Sequence, residues 1–145
     1  MPFKFRGPED LKKVERDTTV TSDAVAVGDV LYLTAGAVSY ALGNSTGTQF
    51  WHKKIVVTRV WSTADVEGIV VHPGQLWEAT GSENSALASD GDRMILTSAR
   101  VVNNSATDDT TSLAVVIQRG VIGAAADKKL LVQFLDSSGF SIVAG

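Results

Sequence analysis

Short apolar segments recur along this chain: Val30-Leu31-Tyr32-Leu33, Ile55-Val56-Val57, Ile69-Val70-Val71, Ala114-Val115-Val116-Ile117 and Leu130-Leu131-Val132. Between them stand clusters of turn formers: Gly43-Asn44-Ser45-Thr46-Gly47, Pro73-Gly74, Ser89-Asp90-Gly91-Asp92, Asn103-Asn104-Ser105 and Ser137-Ser138-Gly139. Strand-length runs rich in Val and Thr, punctuated this often, predict an all-β domain, either a compact β-barrel or a β-sandwich (β-tulip-like). Strands are expected over 29–34, 38–42, 55–61, 66–71, 75–80, 93–97, 113–119 and 130–135, with a weaker one at 140–144. The first has apolar residues on both faces and should be central. Arg59 is the odd member of its strand, expected at an edge. The Ala124-Ala125-Ala126 run predicts one brief helical turn between two strands.

The first 17 residues break this pattern. Phe3 and Phe5 alternate with Lys4 and Arg6, which gives a strand-like apolar face. Pro8 suits the first position of a one- or two-turn helix through Glu9 to Arg16, with acids early, bases late, and Leu11 and Val14 on one face. The segment holds five of the chain's thirteen basic residues. The expected division is a projecting N-terminal arm, 1–17, and one β-domain, 18–145. No fixed-period repeat stands out, and the arm's apolar face is not required by the pattern of the body.

At 145 residues, 44% apolar and 20% charged, the chain can bury a substantial core without a disulfide or metal. A net charge of −3 argues against nucleic acid as a partner, because phosphate neutralisation needs clustered Lys and Arg. No apolar run approaches the ~18 residues of a membrane-spanning helix, and the first residues lack a signal-peptide core. A soluble protein made in a cytosol is the expectation.

Catalysis needs a nucleophile, a base and a charge stabiliser that converge. The two histidines, His52 and His72, sit beside Trp51 and before Pro73, where a polar surface role is the ordinary one. With no cysteine, their spacing fits no zinc pattern. Asp90-Gly91-Asp92 and Asp108-Asp109 lack the alternating carboxylates and closing Glu of a calcium loop and read as turns. Asn44-Ser45-Thr46 and Asn103-Asn104-Ser105 resemble glycosylation triplets but also read as turn chemistry. Trp51, Trp61 and Trp77 would suit a sugar platform if they lined one groove, and a core or interface otherwise. No enzyme activity, cofactor or metal is expected.

Five segments carry a family resemblance: Val27-Gly28-Asp29-Val30-Leu31, Gly74-Gln75-Leu76-Trp77-Glu78-Ala79-Thr80, Gly91-Asp92-Arg93-Met94-Ile95-Leu96-Thr97, the Val102-Asn103-Asn104 loop, and 125–134 (Ala-Ala-Asp-Lys-Lys-Leu-Leu-Val-Gln-Phe). Together these resemble the small structural proteins of tailed bacteriophages that are encoded near the major capsid protein. The resemblance implies a head decoration, or cement, protein: a compact β-domain, commonly a homotrimer. Such a protein is made in the host bacterial cytoplasm and bound to the capsid exterior, where it clamps neighbouring coat subunits. The expected partners are the major capsid protein and further copies of the chain, with no membrane partner. Joined to the arm's pattern, the resemblance makes Phe3, Lys4, Phe5, Arg6, Leu11 and Val14 the expected capsid-binding residues, added as a strand to a capsid edge. Exposed sheet edges would be relieved by association or by closure of the sheet. A carbohydrate- or receptor-binding module of a phage tail is the alternative function.

Overall fold

A computed structural model describes residues 3–19, 24–33, 39–42, 53–62, 64–107 and 115–135. Eleven strands account for most of them: β1 Lys4–Phe5, β2 Val14–Thr19, β3 Val30–Leu33, β4 Ser39–Leu42, β5 Lys54–Ser62, β6 Asp65–Val70, β7 Trp77–Gly81, β8 Arg93–Ser98, β9 Val101–Thr107, β10 Val116–Ile122 and β11 Lys129–Phe134. Among the described residues, helix is limited to 3-10 turns at Glu9–Leu11, Leu87–Ser89 and Ala125–Asp127. The fold is all-β as the alternation predicts, and of the barrel and sandwich left open by the sequence the chain forms closed, barrel-like sheets; the Ala124 region supplies its brief turn. The expected strand at 140–144 lies outside the described residues.

The strands form two closed rings. In the first, hydrogen bonding runs β2-β4-β3-β5-β6 and returns to β2. In the second it runs β7-β11-β10-β8-β9, and β9 pairs back onto β7. Closure removes most of the open edge that would otherwise invite association.

The two rings share one topology and one register. β2 to β6 correspond in order to β7 to β11, with the first and third strand of each ring parallel. Leu31 faces Ile55 as Met94 faces Val116. A register irregularity falls at Val57/Arg59 in β5 and at Gln118/Gly120 in β10. Thr18 and Thr19 meet Ser39 and Tyr40 as Thr80 and Gly81 meet Val101 and Val102. Even the turns match. Gly28 and Gly91 stand at φ 91° and 92°, a region that disfavours a Cβ. Their N–H groups donate to the carbonyls of Val57 and Gln118, both at 2.8 Å. The chain is therefore a tandem duplicate of one five-stranded unit, a repeat that sequence inspection does not find.

The rings pack on a common core containing Val30, Val56 and Ile69 from the first and Trp77, Met94, Leu130 and Phe134 from the second. Two polar groups sew them together. Asp29, fully buried, accepts from Arg100 Nε (2.6 Å), Arg100 Nη2 (3.0 Å) and the Ala26 N–H (2.9 Å). Beside it the Val30 N–H donates to the Ala99 carbonyl at 3.1 Å. Gln75, also fully buried, donates to the carbonyls of Leu11 and Val70, while its oxygen accepts from His72 N and Trp77 Nε1. All its hydrogen-bonding capacity is used where the chain crosses between rings.

Three expectations are corrected. Residues 3–19 do not project: β1 pairs with β7, and β2 is a stave of the first ring. Phe3 is only 2% exposed and packs its ring 5.2 Å from that of Phe134. The apolar Phe3/Phe5 face belongs to the protein's own core, so the arm is not separable from the β-domain. The expected helix from Glu9 to Arg16 is a 3-10 turn followed by β2, because Val14 to Thr19 gain ring pairing that an isolated short helix could not match. Asn103, Asn104 and Ser105 lie within β9 and not in a turn. The side chain of Asn104 instead holds the neighbouring loop, accepting from Glu83 N at 2.8 Å and donating to the Glu83 carbonyl at 3.0 Å.

Two substitutions test this frame. Phe3→Ala should cost about 3–5 kcal/mol, the range for a large buried aromatic, seen as a lowered urea midpoint; a projecting arm would show no change. Arg100→Ala strands a buried carboxylate and should cost about 3–5 kcal/mol, whereas Asp29→Asn with Arg100→Ala together should recover part of that loss.

Candidate functional site

Strand β2 alternates strictly. Val14, Arg16 and Thr18 are exposed, while Glu15, Asp17 and Thr19 turn towards the inside of the first ring. The ring's interior is otherwise apolar, filled by Leu31, Tyr40, Ile55, Val57 and Val66. Two carboxylates on one face of one strand therefore meet at its mouth.

Lys53 reaches in to pair with Glu15, its Nζ 2.5 Å from Oε1. The hydrogen bond from Lys53 holds the Glu15 carboxyl below its ordinary range. Asp17 moves the other way: burial, then the neighbouring Glu15 carboxylate, pushes it up to about 6. The ammonium of Lys53 is stabilised above its usual range by Glu15. The Tyr40 hydroxyl is raised by burial and by the charge of Asp17. Glu15 Oε2 and Asp17 Oδ2 are buried with no hydrogen-bond partner. Two acids facing one base in a half-dry site share a proton below about pH 6 and release it as the pH approaches neutrality.

The duplicate shows that the fold does not require this arrangement. Register places Trp77 at the position of Glu15, Ala79 at that of Asp17 and Val102 at that of Tyr40. All three are fully buried apolar residues. The second ring thus closes on a dry core where the first carries charge.

On the outer wall, β5 runs exposed from Thr58 to Ser62. Trp61 is 43% exposed, with Val60 beside it and Val14 on β2 exposed as well. The Arg59 guanidinium lies 3.5 Å from the Trp61 ring centroid and that of Arg16 4.5 Å. Arg16 also grips Asp65 with two hydrogen bonds, at 2.9 and 2.6 Å. An exposed tryptophan braced by two arginines is a surface suited to protein contact, because Trp and Arg dominate interface energetics.

The expected site residues are divided between the rings. Phe3 is buried, Phe5 packs edge-on against Trp77 with centroids 5.3 Å apart, and Arg6 lies 3.5 Å from Glu78. Lys4 is exposed beside them. Leu11 is half-buried and lends its carbonyl to Gln75. Val14 alone stands on the first ring's exposed edge. The turn readings hold for His72, whose Nδ1 accepts from Gly74 N at 3.0 Å, and for Asp90-Gly91-Asp92. Trp77 is buried while Trp61 is exposed, so these two line no common groove. Trp51, His52, Asn44, Asp108 and Asp109 lie outside the described residues. Glu15, Arg16, Asp17, Lys53 and Tyr40 were missed. The signal was the Val14-Glu15-Arg16-Asp17 alternation, concealed by the helix reading. Among the described residues no group of three His, Asp or Glu could hold a metal ion. No known protein family, curated protein or solved structure matches this chain.

The acid pair makes a signed prediction. A carboxyl whose folded pKa, about 6, exceeds its unfolded value near 3.8 adds stability below the lower figure and loses it as pH rises through the upper one. Glu15, shifted downward, acts oppositely at the acid end. Asp17→Asn should therefore raise the urea midpoint relative to the native chain at pH 7.5 and give little or no gain at pH 4.5. An advantage that is the same at both values would refute the shared proton. Lys53 and Lys13 are the other charged groups acting on the pair, and the Tyr40 hydroxyl feels both carboxylates.

Proposed function

We propose that this chain is a structural virion protein, a decoration protein of the exterior of a tailed-phage head that stabilises the shell by clamping neighbouring coat subunits. The observation that carries the reading is the exposed Trp61 braced by Arg59 and Arg16 on the wall of a closed, rigid ring. It joins the resemblance of residues 27–135 to proteins encoded beside capsid genes. Two fused rings, each closed by strand pairing, make a stiff block that loses little freedom when it docks.

On this reading the partner is the major capsid protein, and further copies of the chain, as a homotrimer, multiply a weak contact by avidity. Attachment does not run through Phe3 and Phe5, which are committed inside. It runs through the outer wall of the first ring. The tail-module alternative needs an open aromatic face for a sugar, and guanidinium groups already lie over Trp61.

The test is co-sedimentation with expanded empty tailed-phage capsids assembled from the major capsid protein of the genome that encodes this chain. The native chain should bind, and Trp61→Ala should weaken binding by more than about tenfold, as for a hot-spot tryptophan, without lowering the thermal midpoint. Equal binding by both chains removes the wall from the mechanism. Failure of the native chain to bind defeats the decoration reading.

A further inference from the structure

The duplication exposes a difference between the rings at one edge. In the second ring β7 has β11 along one side, while its other side is shared: β9 takes Thr80 and Gly81, and β1 takes Trp77 and Glu78. Around β1, the Arg6 N–H donates to the Leu76 carbonyl (2.9 Å) and the Leu76 N–H to the Gly7 carbonyl (2.8 Å). In the first ring β2 has β6 along one side, and β4 takes Thr18 and Thr19 on the other. No strand among the described residues takes the place beside Val14 to Arg16.

The alternation fixes which groups are left there. The Val70 N–H donates to the Lys13 carbonyl at 2.8 Å, so Lys13, Glu15 and Asp17 turn their backbone towards β6. Val14 and Arg16 turn theirs outward. They are the counterparts of Leu76 and Glu78, whose backbone β1 satisfies. Both have exposed side chains as well.

We propose that the edge at Val14–Arg16 is a strand-addition slot for an extended segment of a partner protein, which adds antiparallel to β2 and carries an acidic residue opposite Arg16 followed by a basic residue opposite Glu15. The occupant's chemistry follows from the filled slot. There β1 sets Lys4 opposite Glu78 and Phe5 opposite Trp77. In the first ring the charge at the outward position is reversed to Arg16, and the inward aromatic is replaced by Glu15. The inward residue of an added strand shares the face of Glu15, where two carboxylates, Glu15 and Asp17, stand against the single ammonium of Lys53. A lysine or arginine there balances the second carboxylate. A second copy of this chain fits poorly, because its own β1 would bring Lys4 to Arg16 and Phe5 to two carboxylates. Backbone pairing gives the affinity and these two side chains the selection.

Assigning the segment to a coat subunit rests on the decoration reading; the slot itself does not. The experiment uses the full chain, labelled with ¹⁵N, and two capped hexapeptides: Thr-Val-Asp-Lys-Val-Thr and its charge-swapped form Thr-Val-Lys-Asp-Val-Thr. The first should shift the Val14 and Arg16 amides saturably at millimolar concentration and slow their hydrogen exchange, and the second should bind at least about tenfold more weakly, the ratio corresponding to 1.4 kcal/mol. Arg16→Glu should reduce that preference or reverse it. Val14→Pro removes an outward N–H at an edge position that tolerates proline and should abolish the shifts. If Val14→Pro does not fold, the Arg16→Glu preference decides alone. Equal response to both peptides, no response up to their solubility limit, or shifts confined to Lys4 and Phe5 would overturn the proposal. So would protection of Val14 and Arg16 in concentrated protein alone, which would make a second copy the occupant. Capsid binding lost with peptide selection retained would sink the decoration reading and leave the slot standing.

Discussion

The structure depends on the buried carboxylate of Asp29. It sits in the turn that leads into β3 of the first ring and is gripped by Arg100 from the turn between β8 and β9 of the second. Its own carbonyl accepts from Val57 N at 2.9 Å, so the residue that joins the two rings also anchors the start of β3 to β5. A charge with no exposed surface is tolerable only because three donors converge on it. Its counterpart Asp92 makes the same backbone bonds, its N–H donating to the Ser89 carbonyl and its carbonyl accepting from the Gln118 N–H, but its side chain is partly exposed. One local turn design thus serves twice, and in one copy it has become the fastening between the copies.

Much of the strand plan was legible because apolar, β-branched residues line both sides of the central strands. β3, β5, β6, β8, β10 and β11 fall where Val30-Leu31, Ile55-Val56-Val57, Ile69-Val70, Met94-Ile95-Leu96, Val116-Ile117 and Leu130-Leu131-Val132 place them. β2 was not legible. Its inward positions are Glu15 and Asp17, so period-two burial left no hydrophobic trace, and the acids preceding Lys12 and Lys13 imitated a helix start. β9 was hidden similarly by Asn103 and Asn104, whose turn preference yields to pairing with β8. The compositional break near residue 17 was real, but it marks a segment that serves both rings, not a free arm.

The candidate site was illegible for the same reason as the duplication. What the units share is geometry: Gly28-Asp29 and Gly91-Asp92 stand directly before β3 and β8. What differs is the residues filling that geometry: Glu15 against Trp77, Asp17 against Ala79, Tyr40 against Val102. Comparing residue with residue along the chain meets these differences first. Comparing hydrogen-bond partner with partner passes over them, and the polar mouth then stands out as a departure from its own copy.

The placement of β1 has a consequence for how the molecule comes into being. The strand at the start of the chain belongs to the second ring, where Phe3 rests on Phe134 and Phe5 on Trp77. During synthesis β2 to β6 emerge together and can close on themselves while the second half is still unmade, since domains made first tend to fold first. Phe3 and Phe5 have no seat until Trp77, and then Phe134, have followed. β1 thus leaves the ribosome well before the residues that bury it, and its docking completes the core that both rings share.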